Sequence, residues 1–371
     1  MTGLSSRHGE SWLKPALRGL YRLVLGVHVQ LTARRRQGPP SVYYAGARSG
    51  DIGGPLVKVK RLMAHFPERR WDYNLVYALS NAAYLPAAAV RTLKRRGVAL
   101  VHNQDGVFYR AWYGGDWRAA NEAMARTYLV ADHVFWQSDF CRRAAERFIG
   151  PRQGSGEVLY NAVDTYRFHP APSRVGSGPG MLRLLMTGKF DSHIFYRVEG
   201  TMRGVALARR RGVEATLTCA GWIAPQARAA AQDLADDLGI ANAVSFTGPY
   251  SQQEAPEIYR AADAYITTKH MDPCPNAVLE AMSAGLPIIH SDSGGVPELV
   301  GGAGIALEAP ENWDHIVTPS AESIANGIES VAGRVAEMGA AARDRAVALF
   351  DVKHWIARHR AVFVSLVGAG T

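Results

Sequence analysis

The sequence predicts an α/β protein made of two doubly wound parallel-sheet domains, and three observations carry that expectation. At 371 residues the chain exceeds what one core of ordinary size organises. Short apolar runs alternate with helical periodicity twice, once from Ser41 and again from Leu182. Between the two lies HPAPSRVGSGPG, residues 169–180, rich in proline, glycine and serine and without a period, which reads as a linker.

The composition narrows the class. A hydrophobic fraction of 47% with 20% charged residues belongs to a folded chain rather than a disordered one. Cys141, Cys219 and Cys274 lie far apart without a CxxC pair, which offers neither a disulfide framework nor a zinc site and suits a reducing compartment. The formal charge of +9 favours an anionic partner: nucleic acid, acidic lipid or a phosphate-bearing substrate. Residues 1–10 are polar, and no run reaches the roughly 18 apolar residues that a membrane span needs. A cytoplasmic protein is expected, with or without attachment to a membrane surface.

Taken in order, residues 12–36 read as a basic amphipathic helix. Leu13, Leu17, Leu20, Val24, Val27 and Leu31 recur at steps of four and three, so they share one face. Lys14, Arg18 and Arg22 follow on another, Arg34, Arg35 and Arg36 close the segment, and Gly38, Pro39 and Pro40 stop it. Such a helix suits the headgroup region of an anionic membrane, or packs on its own protein with the arginines in water. Strands are expected at Ser41–Ala45, Asn74–Leu79, Val98–Val101 and His133–Gln137, with helices at Leu85–Arg96, Asn121–Val130 and Asp139–Phe148 between and beyond them. The second series has strands at Leu182–Met186, Ala215–Ala220, Ala243–Phe246, Ala264–Thr267 and Ile288–Ser291. The expected division is a basic segment 1–40, a first domain 41–168, the linker, a second domain 181–349, and a closing helix within 350–371 that returns to the first domain.

The chemistry is expected at Met271–Val300, because ligands of open α/β sheets bind beyond the carboxyl ends of strands. After the strand at Ala264–Thr267, Pro273 and Pro275 keep the chain extended, Asn276 is a good N-cap, and Gly285 with Pro287 ends a short helix. Asp272 then stands before the helix and Glu280 one turn inside it. Free amides at the helix start, around Pro275, Asn276 and Ala277, suit a phosphate, and carboxylates accept hydrogen bonds from vicinal sugar hydroxyls.

This stretch resembles the signature of the family-4 retaining glycosyltransferases, which have the GT-B fold of two Rossmann-like domains facing across a cleft. Asp272 and Glu280, separated by seven residues, fill the places of the family's two acids. Ala281-Met282-Ser283-Ala284-Gly285-Leu286-Pro287 and Gly294-Gly295-Val296-Pro297-Glu298 match the rest. Leu159 to Asp164 with Phe168 and Pro170, Ala131 to Val134 with Gln137 and Ser138, and the glycine-rich loop Gly50–Pro55 agree in order. The resemblance implies that Glu280 holds the ribose of a nucleotide-sugar and Asp272 the transferred sugar, and that no cofactor or metal is needed. It also implies that Gly53 and Gly54 approach the acceptor, and it points to the capsular, exopolysaccharide or lipopolysaccharide branch. Two departures stand out. The family's diphosphate-binding arginine and lysine are represented in swapped order by Gly188-Lys189 and Arg197. Gln104 stands where many members have a second histidine after His102.

The candidate catalytic set is therefore Asp272, Lys189 and Asp105; Gly188, Lys189, Arg197, Pro275, Asn276, Ala277 and Glu280 would bind the donor, and Gly53, Gly54, His102 and Asp105 would lie on the acceptor side. His102 also reads as a buried strand-end residue and Asp105 as a turn former. The expected partners are a nucleotide-sugar, a saccharide or lipid-linked saccharide acceptor, and an anionic membrane surface through residues 12–36. A nucleotide-sugar epimerase of the same architecture is the alternative enzyme, and a basic nucleic-acid-binding protein the non-enzymatic one; no nucleic-acid motif supports the latter, nor does a GxGxxG or Walker lysine point to another nucleotide site.

Overall fold

The computed structural model describes residues 13–51, 53–171 and 181–368. Trp12, Ile52 and residues 172–180 of the expected linker lie outside the described residues. The chain forms two all-parallel sheets, each enclosed by helices. The first holds β1 (Val42–Tyr43), β2 (Leu75–Leu79), β3 (Ala99–Gln104), β4 (His133–Trp136) and β5 (Ser155–Val158) in simple sequence order. The second holds β6 (Met181–Thr187), β7 (Glu214–Ala220), β8 (Val244–Gly248), β9 (Ala264–Thr267), β10 (Ile288–Ser291) and β11 (Gly304–Leu307) in the order β11-β10-β9-β6-β7-β8. Every residue of β2, β4, β9 and β10 is buried, as apolar runs covered on both faces require.

The strand order locates the ligand side of the second domain. The chain leaves β6 toward β7 and β8, then crosses back to place β9 on the other flank of β6. Loops after β6 and β9 consequently diverge in opposite directions and leave a crevice at their carboxyl ends. The first sheet has no such reversal. Its faces are covered by different helices: α1 (Leu13–Thr32), α3 (Ala87–Arg95), α4 (Trp117–Tyr128) and α5 (Asp139–Phe148) share one core, and α2 (Gly54–Met63) the other. The second sheet is enclosed by α6 (Tyr196–Arg210), α7 (Pro225–Asp237), α8 (Ala255–Arg260), α9 (Asn276–Ser283), α10 (Val296–Val300), α11 (Ala321–Ala332) and α12 (Val335–Phe350). The last helix, α13 (Val352–Val367), joins α2 on the first sheet. There Tyr77 Oη meets His359 Nε2 at 3.1 Å and Phe363 stands edge-on to Phe66 at 5.0 Å.

Three local expectations change. The first strand contracts to Val42–Tyr43, because Ala45 turns to a φ of 53° and ends the extended run. Helix α9 starts at Asn276 itself, not after it: Pro275, with φ of −71°, is the N-cap, and its carbonyl accepts from Val278 N at 3.1 Å. In α1 the stripe that packs inward is Leu25 and Val29, seated beside α3 with Gln30 Nε2 donating to Thr92 Oγ1 at 2.7 Å. Leu17, Leu20, Val24, Val27 and Leu31, the stripe read from the periodicity, face away from the protein and are more than half exposed.

Candidate functional site

Two cations occupy the start of the crevice. Beyond β6, Gly188 (φ 147°) turns the chain, and Lys189 stands exposed with its ammonium 4.9 Å from the centre of the Trp222 ring. Arg197, in the first turn of α6, reaches back so closely that a Cβ on Gly188 would lie 3.4 Å from Arg197 Nη1. Its guanidinium lies over Phe190, it is 5% exposed, and its Nε is buried without a hydrogen-bond partner. Neither cation has a carboxylate at ion-pair distance among the described residues. An unanswered buried donor on a charged group costs several kcal/mol unless something answers it.

The loop after β9 supplies the other wall. Met271 sits at a φ of 48°, and the Asp272 carbonyl accepts from Gly295 N at 2.9 Å. That contact explains the double glycine. A Cβ on Gly294 would lie 2.6 Å from Met271 C and 2.7 Å from Asp272 O, and one on Gly295 would overlap the Pro273 carbonyl oxygen. The Asp272 carboxylate is mostly covered and ion-paired with Lys269 at 2.9 Å, while Lys269 lies 4.9 Å from the centre of the Trp112 ring, a first-domain group. Pro275, Asn276 and Ala277 at the start of α9 are half-buried, and Asn276 Oδ1 has no partner among the described residues. Glu280 accepts from Tyr259 Oη at 3.0 Å. Burial pushes its carboxyl up, and the Arg61 guanidinium from α2 opposes the rise. The two acids therefore sit in different surroundings, one beside Lys269 and Trp112, the other beside tyrosines and Arg61.

On the first-domain side Gly53 (φ 93°) is the N-cap of α2, and a Cβ on Gly54 would lie 3.9 Å from Asn276 Nδ2 across the interdomain seam. Gly106 faces Pro273 more closely still: a Cβ there would lie 3.5 Å from Pro273 Cγ. Asp105, next to Gly106, is held by Lys58 Nζ at 3.0 Å, Asn81 Nδ2 at 2.7 Å and Gln137 Nε2. Gln137 Oε1 accepts from Asn161 Nδ2, which also donates to the Cys274 carbonyl, both at 2.8 Å. Asp105 is thus wired to the loop that leads into α9. His102 is corrected: it is fully buried, Nδ1 meets Thr127 Oγ1 and Nε2 meets Gln104 Oε1, both at 2.9 Å. Burial lowers its pKa to about 4, so it is a neutral core residue and not an acceptor ligand.

Lys58, Arg61, Lys269 and Trp112 were missed by sequence reasoning. Lys58 carries the one available signal, a lysine between Val57 and Val59 on the inward side of a helix; Lys269 and Trp112 meet only through the fold. Glu298 of the matched GG-PE turn also has an unforeseen role. Its carboxylate accepts from the amides of Asp139 at 2.8 Å and Phe140 at 3.0 Å, capping α5 of the opposite domain. An open cavity of 540 Å³ along α13, lined by Ile356 and Arg360 among others and by His65 just past α2, lies apart from all these groups.

Two Rossmann-like parallel-sheet domains meeting at the carboxyl end of a sheet reversal define the GT-B class. The structure superposes on HepE of Anabaena, solved in complex with UDP, with a TM-score of 0.65 at 19% identity over 84% of this chain and 82% of that one. It matches sucrose-phosphate synthase of Thermosynechococcus elongatus at 0.62 and 17%, over 84% and 77%. Residues 182–332, in the second domain, match the family model of the glycosyl transferases group 1. Over 242 residues the chain is 25% identical to glycogen synthase of Mycobacterium tuberculosis, covering 63% of this chain and 55% of that protein. A GDP-mannose-dependent alpha-(1-6)-phosphatidylinositol monomannoside mannosyltransferase of the same organism is 29% identical over 238 residues, 57% of this chain and 56% of its own length. The chain thus spans about half the length of these curated relatives.

Proposed function

We propose that the protein transfers a glycosyl group from a nucleotide-diphosphate sugar to a saccharide or lipid-linked saccharide acceptor, with retention of configuration and without a metal ion, in the synthesis of a bacterial cell-surface polysaccharide. The observation that carries this reading is the pair Lys189 and Arg197 at the strand-order reversal, committed to no carboxylate among the described residues, one of them with a buried donor left open. A diphosphate answers both. Glu280 would accept hydrogen bonds from the ribose, and Asp272, held in place by Lys269, from the transferred sugar. The names of the relatives support the donor class, since one neighbour was solved with UDP and one relative is GDP-mannose-dependent.

In the reaction the bond between the anomeric carbon and the diphosphate oxygen breaks, and the acceptor oxygen bonds to that carbon on the same face. The acceptor proton passes to a diphosphate oxygen. Lys189 and Arg197 stabilise the charge that grows on the departing diphosphate, the role a metal ion fills elsewhere. Closure of Gly54 and Gly106 against Asn276 and Pro273 keeps water from the anomeric carbon. Asp105, fixed by three donors, would orient the acceptor rather than take its proton.

Thermal-shift screening with UDP-, GDP- and dTDP-sugars tests the reading: one class should raise Tm, and at a hundredfold excess over Kd the gain is about 2.7 kcal/mol. The same donor incubated alone should stay largely unchanged, where an epimerase would convert it. Glu280→Gln should weaken donor binding roughly tenfold or more, the worth of a charge-assisted hydrogen bond. A variant that kept full transfer would remove the nucleotide assignment.

A further inference from the structure

Helix α1 presents two unlike faces. Leu25 and Val29 pack on the first domain, while Leu17, Leu20, Val24, Val27 and Leu31 form a continuous stripe whose members are 52–66% exposed. Arg34, Arg35 and Arg36 follow the end of the stripe, while Arg18 and Arg22 stand on another face of the helix, all exposed. From residue 11 to residue 50 the chain has seven cations and no aspartate or glutamate. Beside the helix the loop Arg69-Arg70-Trp71 adds two exposed arginines and a tryptophan, 69% exposed, whose ring stands edge-on to His28 at 5.0 Å. Nearby acids are engaged: Asp72 pairs with Arg36 and Glu68 with Arg70.

A second copy of the chain is a poor occupant of this stripe. Its steps of three and four cover only two heptads, short of the roughly three or four a coiled coil sustains, and a copy would bring cations against cations. An anionic bilayer answers both halves of the surface, apolar residues at the acyl boundary and arginines among the phosphates. No helix among the described residues is long and apolar enough to cross a membrane, so α1 would lie on the surface rather than span it.

The position of α1 gives the surface a consequence for the site. Tyr21 Oη donates to the Gly46 carbonyl at 3.1 Å, at the start of the loop that leads to Gly53 and Gly54. The Tyr21 ring meets Tyr84 edge-on at 5.4 Å, and Tyr84 closes the turn whose Asn81 binds Asp105. The helix is therefore built into the acceptor side. We propose that α1 and the Arg69–Trp71 loop dock on an anionic phospholipid surface and hold the acceptor side of the cleft against it, so that the acceptor is an amphiphile drawn from the membrane. The docking half stands alone; the acceptor half rests on the transferase reading.

Flotation of the full chain tests docking. The protein should float with vesicles of phosphatidylcholine mixed with phosphatidylglycerol and not with phosphatidylcholine alone. Arg34→Gln with Arg69→Gln should lower partitioning ~25-fold, about fivefold for each basic residue. Leu20→Glu with Val24→Glu should abolish it. These positions are exposed, so both variants should keep the wild-type circular dichroism and any thermal shift by UDP or GDP. Hydrogen exchange on anionic vesicles should slow in residues 17–31 and in the loop 46–54. Wild type that stays in the buffer, equal flotation on neutral vesicles, or a Leu20→Glu/Val24→Glu variant that still floats would overturn docking. So would a dimer that this variant dissociates without any vesicle binding. Docking without protection of 46–54 would overturn the acceptor half. Docking without any nucleotide binding would defeat the transferase reading alone.

Discussion

Arg197 shows how a single side chain can carry more information than the motif around it. Burial removes its solvent, Phe190 covers one face of the guanidinium, and no acid among the described residues answers its Nε, which leaves an unmet demand for an anion. From sequence it was an arginine in swapped order with Lys189; the fold brings it back beside Gly188. Asp272 and Glu280 were legible because seven residues and a proline-flanked helix fix their spacing. Lys269 and Arg61, which set their electrostatics, were not, because that pairing depends on how loop and domain return in space. Gly295 is the sharpest residue-level case: with Pro273 O and Ser138 Oγ in the way, Gly295→Ala should cost about 3 kcal/mol in urea unfolding, whereas Ala at Gly302, which meets nothing within 4 Å, should stay within about 0.5 kcal/mol. The buried histidines set a pH limit. His102 and His359 are neutral in the fold, with pKa values lowered to about 4 and about 3 by burial. The unfolded chain takes up their protons first, so stability present above about pH 6.5 is lost as pH falls, about 2 kcal/mol for each at about pH 5. His102→Gln should flatten the decline in Tm between neutral pH and about pH 5; an unchanged slope would show that the ring is charged in the fold.

At the scale of elements, the sheets were readable because parallel strands buried on both faces announce themselves as apolar runs. The order of the first sheet was not, since nothing local distinguishes a sequential order from a reversed one. Helix α1 marks a different limit. Its strongest periodic stripe is the one turned outward, so hydrophobic periodicity found the helix and its amphipathic face but not the stripe that packs. Helix α13 closes the first sheet rather than the second, and Phe363 is fully buried among Phe66, Tyr77 and His359. Phe363→Ala should therefore lower the urea midpoint by an amount worth about 3–5 kcal/mol. With two domains the transition need not be single, and the loss should appear in the phase that reports the first sheet.

For the whole molecule, the domains are joined by more than the crossing segments. Glu298 caps α5 across the seam, Arg143 pairs with Glu311 at 3.1 Å, and Trp313 stacks on Phe140 with centroids 5.4 Å apart. Trp313 also sits edge-on to Tyr109 at 4.9 Å, so a second-domain loop is seated among first-domain aromatics. Trp313→Ala combined with Glu298→Gln should open the cleft, raising the radius of gyration in X-ray scattering and weakening donor binding, with both domains still folded by circular dichroism. Unchanged scattering would mean that these contacts do not set the closed geometry.

The proposed function stands on Lys189 and Arg197 holding a nucleotide's diphosphate at the β6–β9 crevice. Calorimetric titration of the Lys189→Ala/Arg197→Ala protein with whichever of UDP or GDP the wild type binds, alongside the matching nucleoside, tests it most directly. Nucleotide affinity should fall about a hundredfold or more, two charge-assisted contacts at roughly 1.5 kcal/mol or more each, while affinity for the nucleoside stays unchanged. Equal nucleotide affinity in the variant and the wild type would contradict it.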